Sequence, residues 1–177
     1  KIAVWASKYP AAVAYVREAI GLPMAHAVYT SDRWLKSVPQ FTKLRFVDSP
    51  RLSNAIALIR LELAQPGSVV RVVGLSGLGK TRLAYEATMS SASAELVALQ
   101  QGLIYVDASC LPEGLLLEIA HSMQVEQSSC VLIVDECPMD LHVRLQRIVE
   151  QPTTKIALLT LDHELDTLEG TKYVRLD

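Results

Sequence analysis

The sequence predicts an α/β domain in three layers, a parallel five-stranded sheet with helices on both faces, preceded by a helical N-terminal arm. Three observations lead there. Five short apolar runs, at 69–73, 103–106, 131–134, 156–159 and 173–176, are continuous rather than alternating, as strands buried on both faces require. Stretches with helical periodicity separate most of them, and such alternation argues for parallel strands joined by crossover helices. The composition agrees: 177 residues, 50% hydrophobic and 6% aromatic, with mean hydropathy +0.25. That balance excludes disordered, collagenous and low-complexity chains.

At 19.4 kDa the chain is one ordinary domain, or one domain with an attached arm. Taken in order, Pro10 to Ile20 is predicted as a helix, with Val13, Val16 and Ile20 on one stripe and Gly21 as its stop. The next stretch is ambiguous: 30–38 reads as a short helix carrying Trp34, and 44–47 as a strand. Ser49-Pro50 then opens a stronger helix, Ser as N-cap and Pro at the first helical position, with Leu52, Ile56, Ile59 and Leu63 at helical spacing. Gln65-Pro66-Gly67-Ser68 is the one linker-like segment. Beyond it, helices are predicted over 80–90, over 112–123 with Leu116, Ile119, Ala120 and Met123 inward, and over 139–150 with Leu141, Leu145 and Ile148 inward. The expected division is an arm of unassigned role at 1–48 and a core at 49–177. The start on Lys1 and the strand-like ending at 173–176 lead us to expect a fragment of a larger protein.

The formal net charge is −2, unevenly spread: residues 1–82 hold twelve Lys/Arg against four Asp/Glu, and residues 83–140 hold none against nine. A basic stretch can bind nucleic acid, but a basic half facing an acidic half or a bound polyphosphate is the better reading. Three cysteines without CxxC spacing argue for reduced, packed thiols rather than disulfides or zinc. No apolar run approaches a membrane span, and the amino end lacks a signal peptide's apolar stretch. A cytoplasmic protein without a membrane partner is expected.

The first apolar run leads straight into Gly74-Leu75-Ser76-Gly77-Leu78-Gly79-Lys80-Thr81, a G-x-x-x-x-G-K-[ST] match between a predicted strand and a predicted helix. In that setting the N–H groups of Gly74, Ser76, Gly77, Leu78 and Gly79 turn around phosphate oxygens, the helix N-terminus adds partial positive charge, and Lys80 reaches the β and γ phosphates. Thr81 would hold Mg²⁺ through its hydroxyl. The run 131–134 ends in Asp135-Glu136, two acids at the carboxyl end of a buried strand, where α/β ligand sites lie. Asp135 would bind Mg²⁺ through water and Glu136 would deprotonate the attacking water; the alternative for either is a cap on the following helix. Thr160 and Asp162, ending the fourth run, are candidates to touch the γ phosphate or the water, or are ordinary loop residues. Arg82 is counted with the nucleotide-binding set, although its place next to Thr81 turns it from the loop interior and favours a structural role. Trp5, Trp34 and His26 read as packing or surface residues.

With Gly74 to Ala87, Val134-Asp135-Glu136-Cys137-Pro138 and Leu159 to Glu164 together, residues 45–177 resemble the P-loop NTPases, and within them the prokaryotic branch of the STAND class of signal-transduction ATPases. The resemblance implies a sheet order of 5-1-4-3-2, ATP/ADP and Mg²⁺ as ligands, and Arg51 beside the adenine, where a solvated charge at the helix start is the equal alternative. It also implies a nucleotide switch with weak hydrolysis, effector and sensor domains in the same chain, self-assembly, and a role in antiphage or stress defence. Two features depart from the pattern: the fourth strand ends without an Arg, and no winged-helix lid carrying a His lies within these residues. An AAA+ motor or DNA-associated ATPase, and a non-hydrolysing scaffold that retains ADP, stay open as alternatives.

Overall fold

The computed structural model describes residues 28–30, 46, 49–89, 102–163 and 167–176. The expected helix at 10–20, nearly all of 30–38 and 44–47, and residues Trp5, His26 and Trp34 lie outside them. Six strands form one sheet: β1 (Val28–Thr30), β2 (Val69–Val73), β3 (Leu103–Asp107), β4 (Cys130–Asp135), β5 (Ile156–Asp162) and β6 (Lys172–Arg175). Among the described residues four α-helices accompany them: α1 (Pro50–Leu63), α2 (Lys80–Met89), α3 (Glu113–Val125) and α4 (Met139–Val149).

The spatial order is β1-β3-β4-β5-β2-β6, with every pairing parallel except β1 on β3. Counting the five predicted strands alone, this is 5-1-4-3-2, as expected. The sixth strand, β1, comes from the stretch assigned to the arm and adds an antiparallel edge, Tyr29 opposite Tyr105. No helix among the described residues is long and apolar enough to cross a membrane.

Each face of the sheet has its own core. On one, Leu116, Ile119, Ala120 and Met123 of α3, with Leu141, Leu145 and Val149 of α4, pack on Ile104, Val106, Leu132, Val134, Ile156 and Leu158. On the other, Ile59 and Leu63 of α1, with Leu83, Ala84 and Ala87 of α2, cover Val70, Val72, Tyr105, Ile133, Leu159 and Leu161. Strand residues point alternately to the two faces, so positions 71, 160 and 162 face α3 and α4, whereas 105 and 135 face α1 and α2. At α4, Val149 takes the fully buried position and Ile148 is half-buried.

The capping of α1 matches its sequence: Ser49 Oγ accepts from Leu52 N–H at 3.2 Å and Pro50 occupies the first turn. Arg60 ties α1 to α2, its Nε and Nη2 donating to the carbonyls of Ala87 and Glu86 at 2.9 Å, groups that a helix end leaves without intrahelical donors. This holds α2, and the loop feeding it, against the sheet.

Candidate functional site

The carboxyl ends of β2, β4 and β5 lie side by side, Val73 in register with Asp162 and Val134 with Thr160. The glycine-rich turn leaves β2 there and enters α2 at Lys80. Gly77 and Gly79 have φ of 84° and 87°, a left-handed backbone that only glycine adopts cheaply. At Gly74 the demand is steric: a Cβ would stand 2.6 Å from the Leu176 carbonyl. Residues 75–79 are exposed, as a loop that cradles an anion with its N–H groups must be. Lys80 is nearly buried, and its Nζ donates to the carbonyls of Gly74 and Leu75 at 2.9 and 3.1 Å. The ammonium is therefore held against the start of the loop.

The structure joins the two motifs directly. Thr81 Oγ1 donates to Asp135 Oδ2 at 2.7 Å. The same oxygen accepts from Tyr105 Oη at 2.7 Å, and Asp135 Oδ1 accepts from the Glu136 N–H at 3.0 Å. Hydroxyl and carboxylate side by side at the mouth of a phosphate loop form a hard oxygen donor set of the kind Mg²⁺ takes when it also holds substrate phosphates. Glu136 itself is exposed, with φ 50°, a conformation uncommon for a residue with a Cβ. Its carboxylate falls in one small space with Asp162 and His163, their ligand atoms all within 4.8 Å of one another.

Asp162 and Thr160 lie where the sequence put them, yet both are committed. Asp162, 3% exposed, pairs with Arg71 Nη2 at 2.9 Å and with His163 Nδ1 at 2.9 Å. Thr160 is hydrogen-bonded to Arg71 Nη1 at 3.3 Å and to His142 Nδ1 at 2.9 Å. Arg71, fully buried in the middle of β2, also donates to the Cys137 carbonyl at 3.0 Å. His142 Nε2 reaches Thr171 Oγ1 at 3.0 Å. Burial and the Arg71 charge push the His142 pKa down to about 4, so the ring is neutral near pH 7, one nitrogen donating and the other accepting.

Arg82 runs along α2 into an ion pair with Glu86 and lies over the Phe46 and Tyr85 rings. Arg51 Nη2 donates to the Arg175 carbonyl at 3.2 Å, fastening the start of α1 to the end of β6. Of the cysteines, Cys130 and Cys137 are buried free thiols. Cys110 is also free but exposed, so the expectation of packed thiols fails there: it stands in the 3-10 turn after β3 beside Asp107, outside both cores.

Sequence reading passes over Arg71, Tyr105, His142 and His163. The available signal for Arg71 was a charge in the middle of the apolar run Val69 to Val73, which a strand covered on both faces tolerates only with a buried partner.

No protein-family model matches this chain, and no curated protein does. Solved structures do. Caenorhabditis elegans PCH-2 is similar at a TM-score of 0.50 and 12% identity over 72% of this chain and 42% of its own. The Drosophila ORC, solved bound to DNA, gives 0.49 and 16% over 76% and 45%. A Pyrococcus horikoshii signal transduction ATPase with numerous domains, carrying a tetratricopeptide repeat sensor, gives 0.44 and 18% over 74% and 23%. The chain spans less than half the length of each of the three. At such identity the PCH-2 likeness speaks to fold alone, and the two below 0.5 carry no argument. The fold is that of the P-loop NTPases.

Proposed function

We propose that this chain is the nucleotide-switch domain of a larger signalling ATPase of the STAND class, binding ATP with Mg²⁺ and hydrolysing it slowly. The observation that carries this is the 2.7 Å contact between Thr81 and Asp135, which unites the phosphate loop with the strand-end acids. In this reading the N–H groups of residues 74–79 enclose the phosphates, and Lys80 supplies the loop's committed cation. Thr81 and Asp135 hold Mg²⁺, which when bound offsets the charge of the β and γ oxygens. Glu136, exposed at the end of β4, takes the proton of the attacking water. Arg51 and Arg82 stay at the margin of the nucleotide site, each with a structural partner.

Residues 83–140 contain no Lys or Arg, so the cation that accelerates phosphoryl transfer by roughly 10³–10⁵ comes from a neighbouring copy or from elsewhere in a longer protein. Hydrolysis by this chain alone is then slow, which suits a switch. Residues 49–177 form the ATPase core, with 1–48 as an arm that lends the sheet its edge. Effector and sensor domains, self-assembly, a cytoplasmic setting and a role in antiphage or stress defence rest on the STAND resemblance. Titration with a fluorescent ATP analogue in Mg²⁺ tests the reading. Lys80→Ala should weaken binding at least tenfold, and Glu136→Gln should leave binding within about twofold while abolishing phosphate release, since a base acts on the transition state. Equal affinities for the parent and Lys80→Ala would end the assignment; tight ADP without any turnover in the parent would favour the scaffold.

A further inference from the structure

Tyr105, in the α1/α2 core, brings its hydroxyl to the candidate metal carboxylate. It sits on β3, 8% exposed, among Val131, Ile133, Leu159 and Leu83, and reaches diagonally across to β4. Its Oη donates to Asp135 Oδ2 at 2.7 Å, the oxygen that Thr81 also uses. Two hydroxyls converging on one oxygen, with the Glu136 N–H on the other, fix both the tilt and the rotation of the carboxylate. All three donors are neutral, so they orient the negative charge without cancelling it.

We propose that Tyr105 is a positioning residue for divalent-cation binding: its hydroxyl locks Asp135 in the orientation that, together with Thr81, receives the metal. This rests on the function proposed above. Without the hydroxyl, Asp135 keeps its charge but gains a rotational freedom that metal binding must remove. The ring, which fills the core, is a separate contribution, and Tyr105→Phe retains it.

The test is fluorescent-nucleotide binding by the chain as a function of Mg²⁺, against the same titration in EDTA. In Tyr105→Phe the Mg²⁺ concentration at half-effect should rise about tenfold, on the scale of one hydrogen bond to a charged group, while affinity in EDTA stays as in the parent. In an Asp135→Asn background the same substitution should change nothing further, because the group it orients is gone. An unchanged Mg²⁺ dependence in Tyr105→Phe overturns the inference and leaves the nucleotide reading intact. Equal weakening with and without Mg²⁺, or a Tyr105→Phe chain that no longer folds, overturns it too, since the hydroxyl would then serve the core. A parent that binds no nucleotide, or binds it indifferently to Mg²⁺, instead defeats the function on which the inference rests.

Discussion

One sheet carries two buried polar clusters, on opposite faces, and they are chemically opposite. Facing α1 and α2, the Asp135 carboxylate receives two hydroxyls and a backbone N–H; its charge is oriented and left standing. Facing α3 and α4, the Asp162 carboxylate meets Arg71 Nη2 at 2.9 Å, while Thr160 and the Cys137 carbonyl accept from Arg71 Nη1; the charge is cancelled where it stands. Both acids end buried parallel strands near the same loop: the loop leaves β2, Asp162 ends the adjacent strand β5, and Asp135 ends β4, one strand further on. Burial of an acid therefore does not by itself mark a working group. What separates the two is whether the donors around it are neutral or charged, and that predicts a ligand-binding defect from damage to the first cluster and a folding defect from damage to the second.

The largest effect should come from opening the closed cluster. Asp162→Ala leaves Arg71 buried without its counter-charge, and breaking one side of such a pair costs about 3–5 kcal/mol. Urea unfolding measures it. The double replacement Arg71→Met with Asp162→Leu should recover most of the loss, because apolar residues of similar volume often substitute for a buried pair at little cost. Asp135→Asn, by contrast, should shift unfolding far less and act on Mg²⁺ dependence. A loss below about 1 kcal/mol for Asp162→Ala would erase the distinction between the faces.

These two clusters also show how far the sequence can be read. Gly74 to Thr81 and Asp135-Glu136 are local patterns whose chemistry needs only a strand before and a helix after, and both are legible. The five core strands are legible because continuous apolar runs have few other uses in a chain with helices between them. Strand β1 is not, since three residues carry no period and its pairing depends on a partner 74 to 78 positions away. Tyr105 is hidden for a related reason: its hydroxyl meets Asp135 only through the β3/β4 register, which places Asp107 opposite Asp135 and Tyr105 two positions back on the same face. Thr160 and Asp162 were visible as strand-end polar residues, but whether they face a ligand or Arg71 turns on the register with β2. The left-handed backbone of Glu136 leaves no mark in composition at all.

A somewhat smaller effect should appear on acidification, again confined to the closed cluster. His142 is fully buried between Thr160 and Thr171, with its pKa lowered to about 4 by burial first and the Arg71 charge second. Its unfolded value is about 6.5, so between these two pH values the unfolded chain binds the extra proton and the folded chain does not. Stability from this residue is fully present above about pH 6.5 and is lost as pH falls towards 4, by roughly 3 kcal/mol in all. Unfolding of the parent and of His142→Gln at pH 7.5 and 4.5 isolates it: the parent should lose more stability than the variant by about 2–3 kcal/mol. Parallel losses in the two would mean that His142 titrates alike in both states, and the closed cluster would then be more open than its geometry indicates.

The smallest perturbation, covalent labelling, reads the same contrast without disturbing either cluster. Cys110 is exposed in the turn after β3, whereas Cys130 and Cys137 are buried with their thiols pushed up to about 12 by burial. At pH 8 a thiol of that kind is ionised at about one part in 10⁴, and the thiolate is the reactive form. A maleimide or disulfide reagent should therefore modify the folded parent once and quickly, at Cys110, and reach the other two only on unfolding. In Asp162→Ala the order of the buried pair becomes informative. Cys137 offers its carbonyl to Arg71 and should label ahead of Cys130, which packs on Met123 at the opposite end of β4. Peptide mapping after timed labelling distinguishes the cases. If Cys137 alone accelerates, the loss of the ion pair loosens the α4 face locally; if both accelerate together, the whole fold opens as one unit, and a parent that labels twice at the fast rate would show that the α3/α4 face is not closed at all.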